Sequence, residues 1–229
     1  MGSRWAVISV LMHVAAFSGA ATAQTPDRRQ CGAPDPDVSI RGCTAMIQSG
    51  HESRQNLAIA FCNRGNSYRS KGQPDRAIED HDQAIRLNPN FAEAFNNRGL
   101  VYGGKRQLDS AIADYNEAIR LDPNYAFAYN NRGLAYTAKL QSDRAIQDLD
   151  QAIRLNPNYA EAFVNRGVAY NLKGQRDRAI EDYDQAIRLN PNYALALYFR
   201  GQAKRAKGDT AEGDADIAKA RRLNPSVGN

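Results

Sequence analysis

Three cysteines, three histidines and one tryptophan are all that 229 residues hold of the scarcer side chains. Three is odd, so any pairing of Cys31, Cys43 and Cys62 leaves one thiol over. No CxxC occurs, and these cysteines with His51 and His81 do not fall into the spacing of a metal site. No cofactor or metal is therefore expected. GxSxG, HExxH and a phosphate-cradling glycine loop are missing as well. With no convergent set of unusual residues left for catalysis, an enzyme acting on a small-molecule substrate is not the first reading. Long hydrophobic runs are absent too: the apolar stretch from Trp5 to Phe17 falls short of the roughly 20 residues a membrane helix needs.

That stretch has another use. Arg4 precedes it and Ala21-Thr22-Ala23 follows it. A charged start, a short apolar centre and an Ala-x-Ala site are the layout of a secretory signal peptide. Residues 1–23 read as that peptide, cut after Ala23, with an uncleaved anchor as the alternative. The product would be periplasmic or secreted, with no membrane span in its mature form. Removing Arg4 lowers the formal net charge from +5 to +4. That mild basicity does not amount to a nucleic-acid footprint, so nucleic acid is not an expected partner. Export permits disulfides. Cys31 and Cys43 flank a short segment and are paired here, with Cys43–Cys62 remaining open; Cys62 is expected to be free and partly buried.

What the chain has in abundance is repetition. Pro89, Pro123, Pro157, Pro191 and Pro225 recur at one fixed interval, and Gly65, Gly99, Gly133, Gly167 and Gly201 recur at the same interval. Within one period, Tyr129, Gly133 and Tyr136 lie at i, i+4 and i+7 on one helical face. Ala145 and Ala152, with Ile146 and Ile153 beside them, form a small apolar face on a second helix. Proline then ends that helix. The aromatic–Gly–Tyr, Ala, Ala, Pro pattern at a period of 34 resembles the tetratricopeptide repeat, a helix–turn–helix unit. The resemblance implies an all-α fold, a right-handed α-solenoid of five repeats: 58–91, 92–125, 126–159, 160–193 and 194–227.

Other periodic residues have simple readings. Asn90 with Glu93 and Asn158 with Glu161 look like capping boxes. Asp75, Asp109, Asp143 and Asp177 sit in first turns, and Arg86, Arg120, Arg154 and Arg188 in last turns, as the helix dipole favours. One feature departs from the family pattern: an arginine precedes each glycine, at positions 64, 98, 132, 166 and 200. Each is followed, at a constant spacing, by an aspartate of the second helix: Asp80, Asp114, Asp148, Asp182 or Asp216. A ladder of Arg–Asp pairs is expected, within or between repeats. His81 replaces Tyr115, Leu149 and Tyr183 of later repeats and reads as a tolerated core residue.

The ends differ from the middle. The fifth repeat carries Asp214 and Arg221 where earlier repeats carry isoleucine, which reads as a polar cap closing the array. Residues 24–36 read as a flexible segment and 37–57 as a capping region. A helix from Asp37 to Ser49 is expected to bury Ile40, Cys43, Ala45, Met46 and Ile47.

Function is expected in the concave groove lined by the first helices. Asn63, Asn97, Asn131 and Asn165 recur there, one per repeat. They resemble the asparagine ladder in the repeat arm of O-linked N-acetylglucosamine transferases, whose amides hold a peptide backbone. An amide both donates and accepts, so it can grip a peptide bond without reading side chains. Asn96, Asn130, Leu100, Phe127, Leu134, Val168 and Tyr198 complete the candidate peptide-binding surface. The family's lysine clamp for a terminal carboxylate is absent, with Cys62 and Asn66 in its place. The reading is a protein–protein interaction scaffold that is not an enzyme. The alternatives are an accessory arm presenting substrate to a separate cell-envelope enzyme, or a self-associating structural solenoid.

Overall fold

The computed structural model describes residues 29–228. The signal-peptide reading of residues 1–23 lies outside them. The described residues form eleven helices and no strand: α1 Pro36–Gln48, α2 Arg54–Ser70, α3 Pro74–Leu87, α4 Ala92–Gly104, α5 Leu108–Leu121, α6 Ala126–Ala138, α7 Ser142–Leu155, α8 Ala160–Leu172, α9 Arg176–Leu189, α10 Ala194–Lys207 and α11 Thr210–Leu223.

The middle repeat shows how the sequence makes the pair. In α7 the apolar residues Ala145, Leu149 and Ala152 fall one turn apart and are fully buried, with Tyr129 and Tyr136 of α6 packed on them. Asp143 and Arg154 occupy the first and last turns, where the dipole favours each charge. The helix ends at Asn156, extended at φ −138°, because the next residue is Pro157. A small residue is required where the helices cross. A Cβ on Gly99 would stand 2.6 Å from the ring of Tyr115, closer than carbon atoms approach.

Each first helix touches the second helix of its own and the preceding repeat, and also the first helix of the next repeat. The second helices do not touch one another. The layer α2–α4–α6–α8–α10 is therefore the closely spaced one, and it forms the concave face of an all-α solenoid.

The arginine ladder is present within repeats. Arg98 donates from Nε and Nη2 to both oxygens of Asp114 at 2.9 and 2.7 Å, and Arg64, Arg132, Arg166 and Arg200 repeat the fork on Asp80, Asp148, Asp182 and Asp216. Sequence alone missed the third arm. Nη1 of Arg98, Arg166 and Arg200 reaches back to Asp82, Asp150 and Asp184 of the preceding repeat. Arg132 meets the neutral Asn116 instead, and Arg64 meets Thr44 of α1. Most of these guanidiniums also lie over aromatic rings of their own helix, Arg98 between Phe95 and Tyr102. The paired carboxylates are buried, not solvated. Burial holds the Asp114 and Asp182 carboxyls above the ordinary range even with arginine on both oxygens, so the ladder fixes register more than it adds stability.

A second ladder runs along the surface. Lys105, Lys139, Lys173 and Lys207 bind Asp75, Asp109, Asp143 and Asp177, each in the second helix of the preceding repeat. The first-turn aspartates thus tie neighbouring repeats together besides meeting the helix dipole. Lys71 makes the corresponding pair with Asp37 of α1, which stands in for the second helix of a preceding repeat.

Several expectations are corrected. The capping boxes do not form: α4 and α8 start at Ala92 and Ala160, with the aromatic residues Phe91 and Tyr159 at the N-cap and no side-chain cap. Asn88 and Asn156 instead accept from the backbone N–H of Asn90 and Asn158 across the proline. That tight turn delays the helix start by one residue. The first helix of the array begins at Arg54, ahead of residue 58, because the Ser53 hydroxyl caps it by accepting from Asn56 N. Helix α1 starts at Pro36 under a cap from Asp35. It buries Ser39 and Gly42 with Cys43 and Met46, and leaves Ala45 exposed. Residues 29–35, expected to be loose, fold back on α1: Gly32 N donates to Ser39 Oγ, and Cys31 is joined to Cys43 with Cα atoms 4.4 Å apart. Cys62 is free and fully buried. At the far end Asp214 faces outward and pairs with Arg205 at 3.3 Å.

Candidate functional site

The concave face is built from positions of the first helices that neither the arginine ladder nor the Gly–aromatic packing consumes. Exposed apolar side chains line it. Phe127 is 52% exposed and Leu134 46%; Leu172 and Leu195 continue the row, and Leu100 and Val168 are half-buried beside them. Phe127 and Leu134 lie seven residues apart, two turns along one face of α6.

The asparagines are placed differently from a freely displayed row. Asn96, Asn97 and Asn130 are buried. Asn131 Nδ2 donates to Asn96 Oδ1 at 2.9 Å, and Asn165 Nδ2 donates to Asn130 Oδ1 at 2.9 Å, each spanning two repeats. Within α4 and α6, Asn96 and Asn130 each donate to the next asparagine at 3.3 Å. At the array's start Asn97 donates to the Cys62 sulfur at 3.6 Å, and Asn63 to Cys31 at 3.9 Å. The amides of α4, α6 and α8 therefore form a continuous chain joining first helix to first helix, which the Cys62 sulfur extends to α2. Asn63, Asn131 and Asn165 remain half-exposed, and Asn131 and Asn165 are held in fixed orientations by the buried Asn96 and Asn130. Tyr198 is covered by the chain's own tail, where Val227 packs on it and Gly228 lies against its ring.

Sequence reading missed a notch in this face. Leu100, Leu108, Leu134, Tyr115 and Ala138 surround a cleft of about 320 Å³ at the junction of α4 and α6. Its mouth is open because α4 ends in Gly103-Gly104. Other repeats carry Ser70, Ala138, Leu172 and Ala206 at the position of Gly104. The available signal was that departure from an otherwise copied repeat.

Two buried side chains of the first repeat, Cys62 and His81, are held in their neutral forms. Burial pushes the Cys62 thiol up to about 12. His81 is fully buried, and neither ring nitrogen has a hydrogen-bond partner; burial first, then Arg69 and Arg98, pull it down to about 3. Among the described residues no group of His, Cys, Asp or Glu is placed to hold a metal ion, and no helix is long and apolar enough to cross a membrane.

Stacked helix–turn–helix pairs with one continuous concave face define an α-solenoid of interaction repeats. Profiles described as TPR repeat match residues 65–105 and 105–139, and one described as Tetratricopeptide repeat matches 126–159 and 160–193. The chain belongs to the tetratricopeptide repeat family. Among solved structures it is similar to MamA, with 30% identity and a TM-score of 0.61 over 70% of this chain and 94% of that one. PilF of Pseudomonas aeruginosa shares the fold at 19% identity and a TM-score of 0.70, over 76% and 79% of the two chains. YrrB, described as a TPR protein with an unusual peptide-binding site, matches at 24% identity and a TM-score of 0.60, over 82% and 95%. No curated protein matches the chain.

Proposed function

We propose that the protein is an exported scaffold that holds an extended segment of a partner protein in its concave groove. The carrying observation is the row of exposed apolar side chains on the first helices, Phe127, Leu134 and Leu172 above all. Contiguous apolar surface of this kind marks interaction sites on water-exposed proteins. Leu100, Val168 and the half-exposed Asn131 and Asn165 extend the surface and supply amides for a peptide backbone. The buried Asn96 and Asn130 orient those amides. Peptide binding is stated for YrrB, and the shared fold supports the same use of the groove here. The Cys31–Cys43 disulfide fits a periplasmic or secreted location. The scaffold binds and presents; it carries out no chemistry of its own.

Site-specific photo-crosslinking in the producing cell tests this. A photoreactive amino acid at Ala138 or Leu172 is expected to crosslink a partner segment. One at Gln147, exposed on α7, is expected to stay silent. Equal crosslinking from the outer and inner layers would refute groove binding.

A further inference from the structure

The charges of the groove name the kind of segment it takes; this inference rests on the groove reading above and specifies its partner. Outside the arginine ladder, α4, α6 and α8 carry only two charged residues, Glu93 and Glu161. Both are exposed, and neither makes an ion pair or hydrogen bond among the described residues. The missing capping boxes leave their carboxylates free. They occupy the same position in their repeats as Phe127, so the three form one row across α4, α6 and α8.

Phe127 stands between two tyrosines. Its ring meets Tyr159 edge-on at 5.2 Å and Tyr125 at 6.0 Å. Glu93 contributes, after burial, to pushing the Tyr125 phenol up to about 12, and Glu161 acts likewise on Tyr159. Carboxylates beside aromatic faces attract an ammonium or guanidinium group, by charge and by the ring quadrupole. No free cation lies on these three helices to satisfy them, although the chain as a whole is basic.

The notch lies about 10 Å away along α6, at Leu134, seven residues on from Phe127 at about 1.5 Å per residue. Its walls are apolar, and a Cβ on Gly104 would touch nothing within 4 Å. A cleft of about 320 Å³ sits at the low end of ligand pockets, the size for one large side chain and not for a cofactor. The Tyr115 hydroxyl at its wall has no hydrogen-bond partner among the described residues.

We infer that the groove selects a basic, extended polypeptide segment, seating one large apolar side chain in the Gly103-Gly104 notch and a neighbouring lysine or arginine on the Phe127 row between Glu93 and Glu161.

The test uses the full chain against phage-displayed random peptides, followed by binding of the selected synthetic peptide. Selected sequences are expected to combine a large apolar residue with lysine or arginine. Gly104→Leu copies Leu172 into the notch and adds helix propensity, so it folds; it is expected to weaken binding about tenfold or more, the loss of one buried apolar side chain. Gly104→Ala serves as a milder filling variant. Glu93→Gln with Glu161→Gln is expected to abolish the salt dependence of binding. Selection of acidic or uncharged peptides, or unchanged binding by both Gly104 variants, overturns this inference and leaves groove binding standing. If no peptide is selected, or if Phe127→Glu with Leu134→Glu binds the selected peptide unchanged, groove binding falls and this inference with it.

Discussion

The side-chain amide of Asn131 donates to Oδ1 of Asn96, on the first helix of the preceding repeat, at 2.9 Å. Asn96 is buried, so the bond meets an acceptor that water does not reach. Asn131→Ala leaves that oxygen unpaired and is expected to cost about 1–3 kcal/mol. Asn165→Ala is expected to cost a similar amount through Asn130, which is fully buried. Urea unfolding followed by circular dichroism measures both. Unchanged midpoints would show that the amides do not hold the helices together.

Arg98 is expected to be harder to lose than an ordinary surface arginine. Arg98→Ala strands Asp114 in the interior and frees Asp82 from its inter-repeat partner. Removing one partner of such a buried pair costs about 3 kcal/mol or more. Arg98→Met combined with Asp114→Leu is expected to recover most of that loss, because no uncompensated charge is left buried; Asp82 is half-exposed. A double variant as unstable as the single one would contradict a register-setting role.

His81 makes stability depend on pH in a stated direction. Its folded value is depressed to about 3 by burial, and the unfolded imidazole takes up a proton near pH 6.5. Stability is therefore complete above about pH 6.5 and falls as pH is lowered, by up to about 1.4 kcal/mol per pH unit. Thermal melts between roughly pH 5 and 7 lie above the range where carboxylates dominate. His81→Leu, which copies Leu149, is expected to flatten that slope and raise stability by about 1 kcal/mol or more, since two buried nitrogens no longer go unpaired.

The Cys62 thiol is expected to resist alkylation in the folded protein. It is buried and stays protonated, with its pKa pushed up to about 12, while the thiolate is the reactive form. Iodoacetamide labelling should follow global unfolding by denaturant. Rapid labelling of the native chain would place Cys62 at the surface.

Leu140 holds a left-handed conformation at φ 59° where Gly72, Gly174 and Gly208 hold the matching turn in other repeats. It is also the most exposed large apolar residue described. Leu140→Gly is expected to stabilise by up to about 1 kcal/mol by relieving that backbone strain. A lower melting temperature for the variant would mean that the leucine contributes packing that outweighs the strain.

The parts of this structure that the sequence disclosed are those fixed by one helix or one pair. The repeat period gave the pairing, Ala145 and Ala152 gave the core face, and the proline gave the turns. The partner of a groove-facing polar side chain was not legible, because it depends on how far one repeat is rotated against the next. Asn131 was visible as a recurring amide, but not that Asn96 of the neighbouring helix accepts its hydrogen bond. Arg98 was correctly set against Asp114, yet its reach back to Asp82 is again a matter of inter-repeat rotation. The capping boxes failed for a local reason: the Asn88 turn across Pro89 satisfies Asn90 before any helix begins. The notch was written in the sequence as Gly103-Gly104, but a missing side chain is easy to overlook when the eye follows what recurs.

Of the arginine rungs that join one repeat to the next, one lacks a charge. Between the second and third repeats Arg132 finds the amide of Asn116 where Arg98, Arg166 and Arg200 find aspartate. Repeat arrays respond to load link by link, since each unit touches only its neighbours. Pulled from its two ends in an optical trap, this chain is expected to part first at that link, the same one that carries the notch. A bound segment lying across it would act as a splint, and the array would stiffen where it was weakest.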